Sequence, residues 1–372
     1  MRIKILTIQY AHNYGAVLQA YSLKTYLENL GNKVEIVNYV PFSEKYKYSL
    51  KLKNQLGKKE AIRHLRIFEW IKNEIDIRKA QPEWEIRYNK FKDFIDKMLI
   101  AEKEEVEDVA DINKDVDAFI CGSDQIWNPV IVGDENPFYF LDFPTKAKKI
   151  SYAASMGNPK PCYSKDFIRN TLSGFNAISV REDELKDLLE NYYQIESVKV
   201  VCDPCLLLEK KDYLPLITNN KMESLPFICV YYINDSGALH HSFKDIDVLG
   251  DKQIVEIRWI RNFGTYNKNQ RTGLSVYEFL WYINNCEVLY TDSFHGTIFS
   301  LIFHKNFWVV SENNIRIESL LSKVGLKHRI VNSIAECNEN MDIDWEKVDE
   351  AIDTIRENSR KFLLNSLYDA EV

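Results

Sequence analysis

Glycine and proline are scarce in this chain, at 13 and 10 of 372 residues. That excludes collagen-like and low-complexity architectures. Cysteines are few and scattered, seven in all, an odd number that agrees with a reducing compartment rather than a disulfide framework. There is no apolar run near 18 residues, so no segment is expected to span a membrane. The opening MRIKILTIQYAHNYG has an apolar run too short for a secretory signal and is interrupted by His12 and Asn13, so a cytoplasmic location is expected. Basic excess is also missing. With 48 Lys+Arg against 55 Asp+Glu, the net charge is −7, and no nucleic-acid partner is expected. No repeat of 20–50 residues is visible. GxGxxG is absent too, which weakens a dinucleotide reading.

What is present is an ordinary globular composition, 45% hydrophobic and rich in aromatics, with 21 Tyr, 19 Phe and 7 Trp. The length suggests about two domains. A strand at 3–8, a helix over 16–30 closed by Gly31 and a strand at 34–40 make a βαβ unit, hence a parallel start to the sheet. Residues 44–100 then read as a helical insertion of two or three helices, with Trp84, Tyr88, Phe91, Phe94, Ile95 and Met98 on one face. Residues 101–117 read as an acidic, solvated stretch. Strands return at 117–122, 149–155, 177–181 and 198–203. From 226 the pattern restarts, with strands at 226–234, 253–260, 286–292 and 306–311 and helices at 275–285 and 293–303. A helix follows Asp344. The expected fold is therefore α/β, two Rossmann-like halves facing across a cleft. The expected domains are 1–207, 208–340, and a terminal helix in 341–372 that crosses back to the first.

Chemistry is expected where strands end in small or polar residues. In YTDSFHGTIFSLIF (290–303) an apolar strand runs straight into an apolar helix. Ser293, His295, Gly296 and Thr297 sit at the junction, where free N–H groups suit an anion and His295 can move a proton. A plain capped helix with a satisfied histidine would look the same. In FICGSDQIWNP (119–129), Ser123, Asp124 and Gln125 could hold sugar hydroxyls and Trp127 could stack on a pyranose; a turn with a buried indole is the alternative. The loop Asn13-Tyr14-Gly15, with Gln19 in the helix it opens, could contact a hydroxyl-rich ligand or could simply cap the helix. Arg181 ends a strand in ISVRE, placed either to grip carboxylate or phosphate or to pair with Glu182 or Glu184. Arg258, Arg261 and Arg271 flank a later loop and could reach an anion or form surface pairs. Cys202-Asp-Pro-Cys205 lacks the partners of a zinc or redox site and reads as structural. His240-His241 makes a poor chelate. Residues 45–66 hold eight Lys or Arg against one Glu, either a solvated helix face or a basic patch for anionic lipid.

The motifs NYGAVLQAYSL (13–23), CGSDQIWNP (121–129), SYAASMG (151–157), ISVRE (178–182), CDPCLLL (202–208) and TDSFHGTIFSLIF (291–303) together resemble the polysaccharide pyruvyl transferases of bacterial exopolysaccharide and capsule synthesis. The resemblance spans roughly residues 3–312 and implies a glycosyltransferase-B-like fold. It further implies transfer of the enolpyruvyl group of phosphoenolpyruvate to a sugar diol, forming a cyclic pyruvate ketal and releasing phosphate. His295 would be acid/base or phosphate contact, Arg181 would recognise the donor, and Asp124 would assist. Ser293, Gly296 and Thr297 would lie on the donor side. Asn13, Tyr14, Gly15, Gln19, Ser123, Gln125 and Trp127 would face the acceptor. Phosphoenolpyruvate is a co-substrate, and neither an obligatory cofactor nor a metal is expected. A lipid-linked acceptor would bring the protein to the inner face of the membrane through Lys51, Lys53, Lys58, Lys59 and Arg63. Two departures stand out. Many members carry arginine where this chain has Ser293, which shifts weight to Arg258, Arg261 or Arg271. Cys205 stands where a small polar residue is common. A nucleotide-sugar-dependent glycosyltransferase of the same fold is the alternative activity, and a non-catalytic scaffold is a third.

Overall fold

The computed structural model describes residues 1–45, 47–51, 67–101, 104–218, 222–224, 226–233, 239, 252–258, 269–311, 314–337 and 341–368. Strands β1 (Arg2–Leu6), β2 (Lys33–Ile36), β3 (Ala118–Gly122), β4 (Lys148–Ala154), β5 (Ala177–Val180) and β6 (Lys199–Val200) form one sheet, in the order β2-β1-β3-β4-β5-β6. Strands β7 (Phe227–Tyr231), β8 (Gln253–Ile257), β9 (Gln270–Arg271), β10 (Val288–Thr291), β11 (Asn306–Val310) and β12 (Ile330–Val331) form the second, in the order β12-β11-β10-β7-β8-β9. Every pairing is parallel. Central strands are buried on both faces, which is why β3, β7 and β10 read as unbroken apolar runs. The edge strands β9 and β12 have two residues each, too short to show a period in the sequence.

In each sheet the chain reverses direction at one point, between β1 and β3 in the first and between β7 and β10 in the second. Open parallel sheets bind ligands outside the strand ends at such points. Two helices begin there. Helix α1 (Tyr14–Asn29) follows β1, and Asn13 caps it by accepting from Gly15 N at 2.9 Å. Helix α2 (Ile67–Phe94) belongs to the insertion and ends in a π-helical turn, Ile95–Leu99. Helix α3 (Val276–Asn285) carries a capping box between Ser275 and Glu278. Helix α4 (Phe294–Phe303) follows β10, and α5 (Ile315–Lys323) follows β11.

The two halves share one hydrophobic cluster, running from Ile5 and Leu18 to Phe279 and Phe299. Tyr14 is the main rivet. Its ring stacks on Phe279 at 4.1 Å between centroids, and its hydroxyl donates to the Leu274 carbonyl and accepts from Arg87. Helix α6 (Trp345–Tyr368) returns to the first sheet. Ser359 accepts from Cys202 N at 2.9 Å, Arg356 and Arg360 donate to the carbonyls of Leu206 and Leu207, and Lys148 donates to the Leu367 carbonyl. Residues 101–117 are not wholly solvated, since Ile112 is buried beneath the first sheet's second core.

His12 is buried among Tyr48, Trp84, Tyr88 and Phe91, all within 5.1 to 5.6 Å between ring centroids. Burial, helped by the Arg87 charge, lowers its pKa to about 3. The folded protein therefore holds His12 neutral while the unfolded chain binds a proton below its ordinary value of about 6.5. Stability from this group is complete above that value and falls as pH drops toward 3. The expected loss between about pH 6.5 and 5 is of the order of 2 kcal/mol. Urea unfolding across that range should show the slope, and His12→Phe should flatten it. An equal slope in that variant would contradict the assignment.

Candidate active site

The site grows from the C-terminal ends of β3, β4, β5 and β10 and from the turn after β6. Strand β4 carries a bulge between Ser151 and Ala154, with Ala153 in a left-handed conformation at φ 52°. The bulge re-aims the strand end so that Ser155 Oγ donates to Glu182 at 2.8 Å. At the end of β3, Gly122 has φ 149°, and a Cβ there would overlap the Tyr152 carbonyl of β4. That close approach lets the next residues turn sharply. Asp124 takes φ 64°, its side chain accepts from Gln125 N, and its carbonyl accepts from Ser155 N.

Arg181 is buried and held twice, by Glu182 at 3.0 Å and by Asp203 at 2.8 Å. Its guanidinium lies over the Phe294 ring at 4.7 Å. Among the described residues its second terminal nitrogen, Nη2, has no hydrogen-bond partner, and neither does Oε2 of Glu182. Asp203 caps the short turn that follows it, accepting from Cys205 N at 3.0 Å. Ser123 Oγ donates to it at 3.4 Å, and His295 Nε2 stands 3.5 Å from it. Burial alone would raise the Asp203 pKa. His295, Arg181 and the Cys205 N–H outweigh burial and hold it well below the usual carboxylate range.

His295 opens helix α4 and crosses to the other half, packing against the start of α1. A Cβ on Gly15 would overlap the His295 ring at Nδ1. Gly15 is thus required by a close approach between domains. The neighbours of His295 expected on the donor side are used locally. Ser293 caps α4 by accepting from Gly296 N, Thr297 bonds back to the Ser293 carbonyl, and Gly296 packs against Thr291 and Tyr231. They build the turn that presents His295.

Other expected residues lie elsewhere. Trp127 is fully buried, its indole stacked on Phe140 and its N–H donated to the Tyr139 carbonyl. It offers no face to a sugar, because the loop after β3 folds inward over a second aromatic core. Gln19 is buried and ties Thr7 to the Ala16 carbonyl, while Thr7 reaches the Ser123 carbonyl. It braces the loops after β1 and β3. Gln125 accepts from Asn128, and a Cβ on Gly157 would strike its side chain. Tyr14 is committed to the domain contact described above. Arg258 is bonded to Glu256 and lies over Tyr232, and Arg271 pairs with Glu223, so neither joins the His295 cluster. Arg261, His240 and His241 lie outside the described residues, as do Lys53, Lys58, Lys59 and Arg63.

Two members were missed in the sequence, Asp203 and Arg316, whereas Glu182, one of the two partners expected for Arg181, is the one that pairs. Arg316, in the first turn of α5, lies 5.8 Å from the Phe294 ring, close to Arg181. It forms no ion pair or hydrogen bond among the described residues. Burial first, and then the Arg181 charge, lower its pKa. A cavity of about 210 Å³ is lined by Arg181, Glu182, Asp203, Phe294, Arg316 and part of α6; His295 is not among its lining residues and adjoins it through Asp203.

Cys205, Asp203 and His295 bring one possible ligand atom each within 4.8 Å of one another. The donor set suits a cation poorly. The Asp203 oxygen nearest His295 already receives Arg181, and burial pushes the Cys205 thiol far up, away from the thiolate a metal needs. Cys202 and Cys205 are both free, buried thiols with raised pKa values, which excludes the reactive thiolate of a redox pair.

Two parallel six-stranded sheets in an α/β fold, with a histidine of one half packed against the other, define a glycosyltransferase-B-like protein. The sequence profile of the polysaccharide pyruvyl transferases matches residues 13–314, and the chain belongs to that family. Its fold is similar to that of a UDP-N-acetylglucosamine 2-epimerase, with a TM-score of 0.52 at 10% identity, covering 100% of this chain and 97% of that one. It is similar also to a structure from Listeria monocytogenes described as a UDP-N-acetylglucosamine 2-epimerase, with a TM-score of 0.50 at 8% identity and the same coverage. At such identities the likeness is one of fold alone. No curated protein sequence matches the chain. No helix among the described residues is long and apolar enough to cross a membrane.

Proposed function

We propose that this transferase moves the enolpyruvyl group of phosphoenolpyruvate onto a sugar diol, making a cyclic pyruvate ketal and inorganic phosphate. The observation that carries the reading is the convergence of Arg181, Arg316, Asp203 and His295 where the two sheets meet. The donor bears a carboxylate and a phosphate ester on the same carbon. Among the described residues Arg181, though paired with Glu182 and Asp203, keeps one nitrogen unfilled and Arg316 has no ion-pair or hydrogen-bond partner, so two guanidinium groups on the Phe294 ring match the donor's two anionic groups.

The chemistry needs a proton delivered to the donor's methylene carbon, which becomes the methyl group and leaves an oxocarbenium-like centre. One sugar hydroxyl attacks that centre and gives up its proton. Phosphate departs with the C–O bond electrons, and the second hydroxyl closes the ring, releasing another proton. One proton is returned for the one consumed, and the other leaves with phosphate. His295 is placed to shuttle these protons, oriented by Asp203 on one side and Gly15 on the other.

Thermal stabilisation by phosphoenolpyruvate, set against uridine and guanosine diphosphate sugars, tests the assignment. We expect a shift with phosphoenolpyruvate and its weakening in Arg316→Ala. The loss of a charge-assisted contact worth about 1.5–3 kcal/mol corresponds to roughly 10- to 100-fold weaker binding. A shift with a nucleotide sugar alone would replace this reading with glycosyl transfer. Equal phosphoenolpyruvate binding by Arg316→Ala would remove Arg316 from the site.

A further inference from the structure

A second cavity, of about 460 Å³, lies over the loops that follow β1 and β2, and the reaction above makes no use of it. Tyr10 and His12 line it from the β1 loop. Tyr48 lines it from the segment after β2, and Tyr88 from helix α2. Two phenol rings flank the imidazole, Tyr48 at 5.3 Å and Tyr88 at 5.1 Å, and Tyr10 packs on Tyr48 at 5.9 Å. The π-helical turn after α2 supplies Asp96, and such turns recur at functional sites.

One polar atom here, His12 Nδ1, is buried with no hydrogen-bond partner among the described residues, whereas the Tyr10 hydroxyl is directed at that of Tyr139. A buried group left in that state costs about 1–3 kcal/mol, so a ligand that supplies hydroxyl groups is favoured. The charges at the rim say which kind of ligand. Lys92 is paired with Asp96 at 2.9 Å and Lys45 with Glu105 at 2.7 Å, while Glu44 is paired with Lys47 at 3.4 Å. Both lysines that line the cavity among the described residues are therefore already matched, and neither is free for a phosphate. Aromatic faces, matched carboxylates and an unfilled imidazole nitrogen together fit a neutral polyhydroxylated ring.

The cavity also communicates with the site already described. The Asp124 carboxylate acts electrostatically on Arg181 and Arg316 on one side and on Tyr10 and Tyr48 on the other. The loop that carries His12 continues directly into Asn13 and Gly15, against which His295 packs.

We infer that this cavity binds a neutral pyranose unit of the acceptor, next to the unit that receives pyruvate. The inference rests on the transferase reading for the word acceptor, and on the cavity itself for the sugar. The test uses p-nitrophenyl glycosides of galactose, mannose and N-acetylmannosamine, followed by saturation-transfer NMR, on wild type and on Tyr48→Ala, Tyr88→Ala and Tyr88→Phe. At least one glycoside should bind saturably to wild type. Binding should weaken about tenfold or more in each alanine variant and survive in Tyr88→Phe, which keeps the ring. The phosphoenolpyruvate shift, measured in every variant, reports on folding and on the donor site separately. Unchanged glycoside affinity in both alanine variants would overturn the inference, and so would failure of all three glycosides to bind. Tyrosine-dependent glycoside binding without any phosphoenolpyruvate response would keep the sugar site and sink the pyruvyl-transfer reading instead.

Discussion

His295→Gln is expected to lower turnover by a factor of about 10²–10⁴, the usual contribution of a positioned acid or base. Glutamine keeps a polar side chain of similar reach, so folding should survive and phosphoenolpyruvate binding should change far less than kcat. Phosphate release in the presence of a working acceptor measures the first quantity, and thermal stabilisation measures the second. A second variant makes the same point without touching the histidine. Gly15→Ala places a Cβ inside the space of the His295 ring and should push the imidazole away from Asp203. Gly15 sits in the first turn of α1, where alanine is well tolerated by the backbone. The expected result is a loss of turnover approaching that of His295→Gln, together with a loss of about 1–3 kcal/mol in unfolding free energy from the overpacking. Wild-type turnover in His295→Gln would remove the histidine from the chemistry. Wild-type turnover in Gly15→Ala would show that the ring can relax around the added methyl group.

Which parts of this site could be read in the sequence follows from how local each one is. His295 was legible because an apolar strand, a polar junction and an apolar helix are contiguous, and the structure places β10, the turn and α4 in that order. Arg181 was legible at its strand end, though two readings stood open. The structure joins them, since Arg181 pairs with Glu182 yet keeps one nitrogen unfilled. Asp203 was hidden between two cysteines that drew the reading toward metal and redox chemistry; its signal was a carboxylate just before a proline at the end of a strand. Arg316 had no local signal. It reaches Phe294 only because α5 follows β11, the strand beside β10, and brings its first turn back toward the start of α4. Trp127 failed for the opposite reason. An indole next to a polar loop looks the same in sequence whether it faces solvent or core, and Phe140, its stacking partner, lies beyond the turn. The fold was read more fully than the site, because apolar runs and helical faces are properties of contiguous residues. The π-helical turn at Ile95–Leu99 shows the limit, since its apolar spacing is indistinguishable from that of an α-helix.

Arg181→Met is expected to destabilise the protein by about 3–5 kcal/mol, as befits removal of one member of a buried charge network. Methionine fills much of the same volume against Phe294, so the loss should come mainly from charge rather than from a cavity. It strands Glu182 and Asp203, two buried carboxylates whose only guanidinium contact is Arg181 among the described residues. Asp203 retains the Cys205 N–H and the approach of His295, and Glu182 retains Ser155, so the folded state persists but weakened. Urea unfolding at neutral pH measures the change. Adding Glu182→Gln and Asp203→Asn to Arg181→Met should recover part of the lost stability, because both stranded charges are then gone. The triple variant should nevertheless bind phosphoenolpyruvate no better than Arg181→Met does. That combination separates the two roles of Arg181: its contribution to folding is repaid by neutralising its partners, whereas its contribution to the donor is not. Recovery of phosphoenolpyruvate binding in the triple variant would mean that Arg181 only holds the fold, and that the donor is gripped by Arg316 and His295 without it.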